Sequence, residues 1–114
     1  GPLQPDGTLI TGRVGADLDL KAGYEAARVT GLAILASLRA ELGTLDKIGR
    51  LVKTLGMVHS TPDFLEHPKV INGYSELMVE VFGDEAGRGA RSAIGMVALP
   101  GNIAVEVEAI FELA

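Results

Sequence analysis

Cysteine is absent from the chain, and so is tryptophan. The first absence removes disulfides, thiolate nucleophiles and thiolate metal sites together, and it makes a cytoplasmic compartment the default expectation. Positive charge is scarce: ten Lys and Arg stand against fifteen Asp and Glu, a formal net charge of -5 with no basic run. Non-specific phosphate binding depends on a positive field, so nucleic acid is not an expected partner. Long apolar runs are missing too. The longest helix-like one, "GLAILASL", falls far short of the roughly 20 residues that span a bilayer. No charged start with an apolar core precedes it, so no membrane partner is expected.

What the chain does have is glycine and aliphatic residues. Fifteen glycines beside 4% aromatics point to close backbone packing rather than a large aromatic pocket. At 114 residues and 47% hydrophobic, the chain supports one core, and residues 1–114 read as a single domain. A mean hydropathy of +0.30 leaves more apolar surface than so small a core hides, which favours a homo-oligomer.

Prolines and glycines mark residues 1–19 as mostly loop, with a short strand at "TLITG" and an N-cap at Asp17 or Asp19. From Leu20, the positions Tyr24, Ala27, Gly31, Ile34, Leu35, Leu38 and Leu42 recur at helical spacing, and Gly43 closes the helix. Gly31 is expected to let this helix lie close on a sheet. "DKIGRLVKTLGMVH" reads as one long strand, bulged near Gly56. A second helix follows from Pro68, carrying Val70, Ile71, Tyr74, Leu77, Met78, Val81 and Phe82 on one face and ending at Gly83. Residues 91–99 and 103–113 read as strands joined in a hairpin by "PGN".

The fold class is therefore α+β, a mixed sheet with two helices packed on one face. In the last strand Ile103, Val105, Val107, Ala109, Phe111 and Leu113 alternate with Ala104, Glu106, Glu108, Ile110 and Glu112. The helices take the first set. The second leaves a face of mixed acids and aliphatics that meets water or another subunit.

The closing segment, with Arg91-Ser92, Leu99-Pro100 and Val105-Glu106-Val107-Glu108, resembles the signature of the RidA/YjgF family of reactive-intermediate deaminases. The long helix, the middle strand and "VINGYSELMVEVFG" match that family's layout in order and length. The resemblance implies a chorismate-mutase-like fold, a barrel-like homotrimer and ligand clefts between subunits. It also implies an enzyme like 2-iminobutanoate/2-iminopropanoate deaminase, which hydrolyses imines and enamines to 2-oxo acids and ammonia without a cofactor. On this resemblance Arg91 grips the ligand carboxylate, Glu106 positions or activates water, and Asn72 is a substrate-binding residue. A planar guanidinium suits that task because two parallel charge-assisted hydrogen bonds fix both position and orientation. The expected partners are other copies of the chain and a small carboxylate ligand.

Two departures from the family pattern stand out. The strand-rich segment with a "Ser-Gly-Gln"-like stretch has no counterpart, so the single RidA-like domain is expected to lack those strands. Ala93 stands where some members carry cysteine, which excludes a thiol mechanism. If "PGN" closes a hairpin, Arg91 and the position opposite Glu106 lie roughly 15 Å apart at a strand's rise, so a shared ligand would take the two residues from neighbouring subunits.

Plainer roles compete at several positions. Glu106, Glu108 and Glu112 fit a solvated strand face, Asn72 the polar side of a helix, and Tyr24 and Tyr74 the core. His59 and His67 are isolated, so no metal is assigned. Arg88 among glycines lacks the Gly-Lys pair of a phosphate loop. The alternative function is a non-catalytic trimer that binds small carboxylates. Ribonuclease activity is disfavoured by the acidic composition and by the lack of paired histidines.

Overall fold

The computed structural model describes all 114 residues. Helix α1 (Leu20–Leu42) leads into a short 3₁₀ turn and then strand β1 (Ile48–His59). Helix α2 (His67–Ala86), strand β2 (Ala90–Met96), a second 3₁₀ turn at Pro100–Asn102 and strand β3 (Val105–Leu113) complete the order. The start of α1 is set by Asp19, whose Oδ1 accepts the N–H of Ala22 at 2.8 Å, a cap worth about 1 kcal/mol. Gly43 ends that helix at φ 83°, a left-handed backbone that costs glycine little.

The three strands run in the order β2-β1-β3, with β2 parallel and β3 antiparallel to the central β1. The mixed sheet agrees with the expectation; the hairpin does not. Strand β1, helix α2 and strand β2 form a crossover unit, which places the returning strand parallel beside the first. Residues 97–104 then carry the chain across the end of β1 to its other edge. "PGN" forms a 3₁₀ turn, with Gly101 and Asn102 both at positive φ, so a pair of residues that would suit a hairpin serves a cross-sheet connection instead.

Both helices cover one face of the sheet. Leu51, Thr54 and Val58 of β1 and Val105 of β3 point into the core, against Val70, Ile71, Tyr74, Leu77 and Met78 of α2. Two glycine readings change. Gly31 is the point where α1 approaches α2, not the sheet, since a Cβ there would sit 2.8 Å from Leu77 Cδ2 and 3.2 Å from Tyr74 Cδ2. Gly56 lies in regular ladder beneath Ile71, and the register shifts of β1 fall earlier, between Ile48 and Arg50 and between Leu51 and Lys53.

The second helix breaks at Gly83, as its glycine suggested, with a non-helical φ of 91° and ψ of 168°, and a short further turn runs on to Ala86. The expected N-terminal strand is reduced to isolated bridges, Leu3 to Leu9 and Thr11 to Ile103. No helix is long and apolar enough to cross a membrane.

Candidate functional site

Arg91 is the second residue of β2, an edge strand, and its register partner is Thr54. Thr54 is buried toward the helices, and neighbours across a ladder share a face, so Arg91 also projects to the helical side. There it meets α2. Its Nη1 donates to Asn72 Oδ1 at 2.8 Å and to Ser75 Oγ at 3.1 Å. Asn72, Ser75, Glu76, Val79 and Glu80 follow the i, i+3, i+4 spacing of a single helical face. This face, the β1–β2 edge and the Gly87–Gly89 turn enclose a cleft of about 670 Å³.

The charges in the cleft differ in how they are matched. Glu80 receives both terminal nitrogens of Arg28 at 3.2 Å each. Arg88 is tied to Asp84 one turn earlier on α2, its Nε 2.8 Å from Oδ1. Arg91, by contrast, is held only by a neutral amide and a neutral hydroxyl, which leave its Nη2 and Nε without a hydrogen bond. Glu76 is held by a neutral group as well, the hydroxyl of Tyr24, which donates to Oε2. That hydrogen bond to a carboxylate is the main reason the Tyr24 phenol titrates above its ordinary range. No ion pair joins Arg91 to Glu76.

Glu106 lies elsewhere. It is half-buried on β3 opposite Met57, on the face of the sheet turned away from the helices. Within one chain Arg91 and Glu106 therefore sit on opposite edges and opposite faces, and one small molecule cannot touch both. Glu108 shares the open face with Glu106, and Glu112 pairs with Arg50 at 3.3 Å. That face also carries Ile94 and Ile110, 43% and 55% exposed, beside Leu55 and Met57.

The remaining candidates separate clearly. Tyr74 is fully buried, as expected of a core residue, whereas Tyr24 reaches the rim of the cleft to hold Glu76. His67 Nε2 meets Ser60 Oγ at 3.1 Å, and His59 is buried at the end of β1. No group of three or more His, Asp and Glu side chains that could hold a metal is present. Ser75 and Glu76 were not singled out from the sequence, yet their spacing of three and four from Asn72 was the available signal.

Comparison with known proteins agrees with this architecture. A family model described as "YjgF/chorismate mutase-like, putative endoribonuclease" matches residues 2–113. Protein TCP17 of Trypanosoma cruzi is 44% identical over 112 residues, which is 98% of this chain and 70% of that protein. The crystal structure of Atu1372 from Agrobacterium tumefaciens, described as of unknown function, has a TM-score of 0.93 at 45% identity, covering 98% of this chain and 71% of its own. A "putative endoribonuclease" structure from Shewanella oneidensis has a TM-score of 0.92 at 34% identity, covering 98% and 74%.

Proposed function

Because the chain belongs to the YjgF/chorismate mutase-like family, we propose that it hydrolyses reactive imines and enamines derived from amino acids, with Arg91 holding the substrate carboxylate. The observation that carries this reading is the state of Arg91: it lines the cleft with one nitrogen anchored by Asn72 and Ser75, and no carboxylate pairs with its fork. A guanidinium oriented by neutral groups keeps its full charge for a ligand and loses little side-chain entropy on binding.

In the reaction, water adds to the carbon of the protonated imine, forming a C–O bond. The C–N bond then breaks, and the nitrogen leaves as ammonia while the oxygen becomes the carbonyl of a 2-oxo acid. Water needs a base. Glu106 can serve only from a neighbouring copy, because its own chain places it on the other face of the sheet. The apolar residues of that open face, Ile94 and Ile110 among them, favour association, and the assembly proposed is a homotrimer with the cleft at the subunit seam.

The test is a coupled assay in which a dehydratase generates 2-aminoacrylate from serine. Faster oxo-acid formation with the protein than without it supports deamination; equal rates remove it. Tight calorimetric binding of 2-oxo acids without turnover would leave the second reading, a carboxylate-binding module. RNA cleavage fits the cleft less well, since the chain carries a net charge of -5 and Glu76 and Glu80 line the cavity, where they repel a phosphodiester backbone.

A further inference from the structure

We infer that Glu76 is a second ligand-binding residue, and that the cleft selects a zwitterion: a carboxylate on Arg91 together with a protonated nitrogen on Glu76. The inference rests on the reading of Arg91 as carboxylate clamp and adds the chemistry of the other end of the ligand. Its basis is the pattern of matched and unmatched charge. Of the four charged side chains lining the cleft, Glu80 and Arg88 have counter-charges in Arg28 and Asp84. Arg91 and Glu76 have none, although they share the cavity and do not pair with each other.

The spacing suits such a ligand. Arg91 is fixed at the level of Asn72 and Ser75, and Glu76 lies one position beyond Ser75 on the same helix, within roughly 6 Å of Asn72 along the axis by the helical rise. A molecule the size of an amino acid, with a hydrogen bond of about 2.9 Å at each end, bridges groups at that spacing. Tyr24 occupies Oε2 of Glu76 and leaves Oε1 without a partner, so the carboxylate is oriented yet still able to accept from a ligand N–H. A neutral enamine or a plain 2-oxo acid would satisfy Arg91 but bring no cation to Glu76. The protonated imine, which is the form water attacks, satisfies both. Its 2-oxo acid product satisfies one, so Glu76 favours release once the nitrogen has left.

Calorimetry with L-alanine and pyruvate, two unreactive probes that differ in the nitrogen, tests this. The native protein is expected to bind alanine at least about tenfold more tightly than pyruvate, the scale of one charge-assisted hydrogen bond. Glu76→Gln should abolish that preference while leaving pyruvate binding unchanged or tighter, and Tyr24→Phe should reduce it, with circular dichroism verifying that both variants fold. A preference that survives in a folded Glu76→Gln, or a native protein that binds pyruvate as well as alanine or binds neither, overturns the inference. The Arg91→Ala variant separates the two levels. If it weakens both probes while Glu76→Gln changes neither, the clamp stands and the zwitterion reading fails; if it weakens neither, the clamp itself fails.

Discussion

Arg91 and Thr54 are register partners on the parallel β1–β2 ladder, and that pairing decides which side of the sheet the guanidinium reaches. A slip of one residue would turn Arg91 to the open face and away from Asn72. The placement comes from the β1–α2–β2 crossover, because the helix that connects the strands also supplies the groups that hold the arginine.

Asn72 should therefore matter through Arg91. Asn72→Ala removes the 2.8 Å hydrogen bond and should lower kcat/KM for imine hydrolysis by about tenfold, with little change in melting temperature because Asn72 is not in the core. Asn72→Asp should be worse, since a carboxylate there pairs with Arg91 and competes with the ligand. An Asp variant more active than the Ala variant would contradict this.

Two helix glycines should respond differently to alanine. At Gly73 the new Cβ would lie on the backbone carbonyl of Tyr24 in α1, which cannot yield without moving a helix, so Gly73→Ala should cost about 3 kcal/mol. At Gly31 the closest contact is with the flexible end of Leu77, and the Tyr74 ring at 3.2 Å must give by a few tenths of an ångström, a cost that the gain in helix propensity of about 1 kcal/mol offsets. Urea midpoints should place Gly31→Ala near the native protein and Gly73→Ala well below it.

This contrast shows where sequence reading reaches its limit. The helices and their caps were legible because Asp19, Gly43 and Pro68 act locally, and the alternation through 103–113 put Val105 on the buried face, although Leu113, expected there, is 60% exposed and Ala104, expected on the open face, is fully buried. Which neighbour a glycine approaches is a tertiary fact, so Gly31 was assigned to the sheet when it faces a helix. Likewise, "PGN" has the same composition whether it turns a hairpin or crosses the end of a strand; the strand-helix-strand order before it was the better guide. In the site, Arg91 and Asn72 came from resemblance. Glu76 was missed because an exposed glutamate on a helix has no mark of its own until Tyr24 and the cleft are seen around it.

Alkaline pH should destabilise the fold through its tyrosines. The hydrogen bond to Glu76 raises the Tyr24 phenol, and burial raises Tyr74, both from an ordinary value of 10.0. A group whose pKa is raised by folding contributes stability that is complete below its unfolded value and is lost as pH climbs through the folded one. Urea midpoints should thus hold up to about pH 10 and fall above it, and Tyr74→Phe should flatten that fall. An unchanged slope in a folded Tyr74→Phe would contradict the assignment.

Self-association should depend on the open face of the sheet. Sedimentation equilibrium should give three times the 11.9 kDa of one chain. Ile110→Asp, which puts a charge among Lys53 and the aliphatic residues of that face, should shift the protein toward monomer and lower activity with it. A monomeric native protein with full activity would sink the trimer and the role given to Glu106.

The most direct measurement is kcat/KM for hydrolysis of the imine from 2-aminoacrylate, for the native protein, for Arg91→Ala, and for Arg91→Ala with millimolar guanidinium added. A fork that binds the substrate carboxylate predicts a loss of about 100-fold in the variant, partly restored by the free cation. Equal rates for the native protein and a folded Arg91→Ala variant would contradict it.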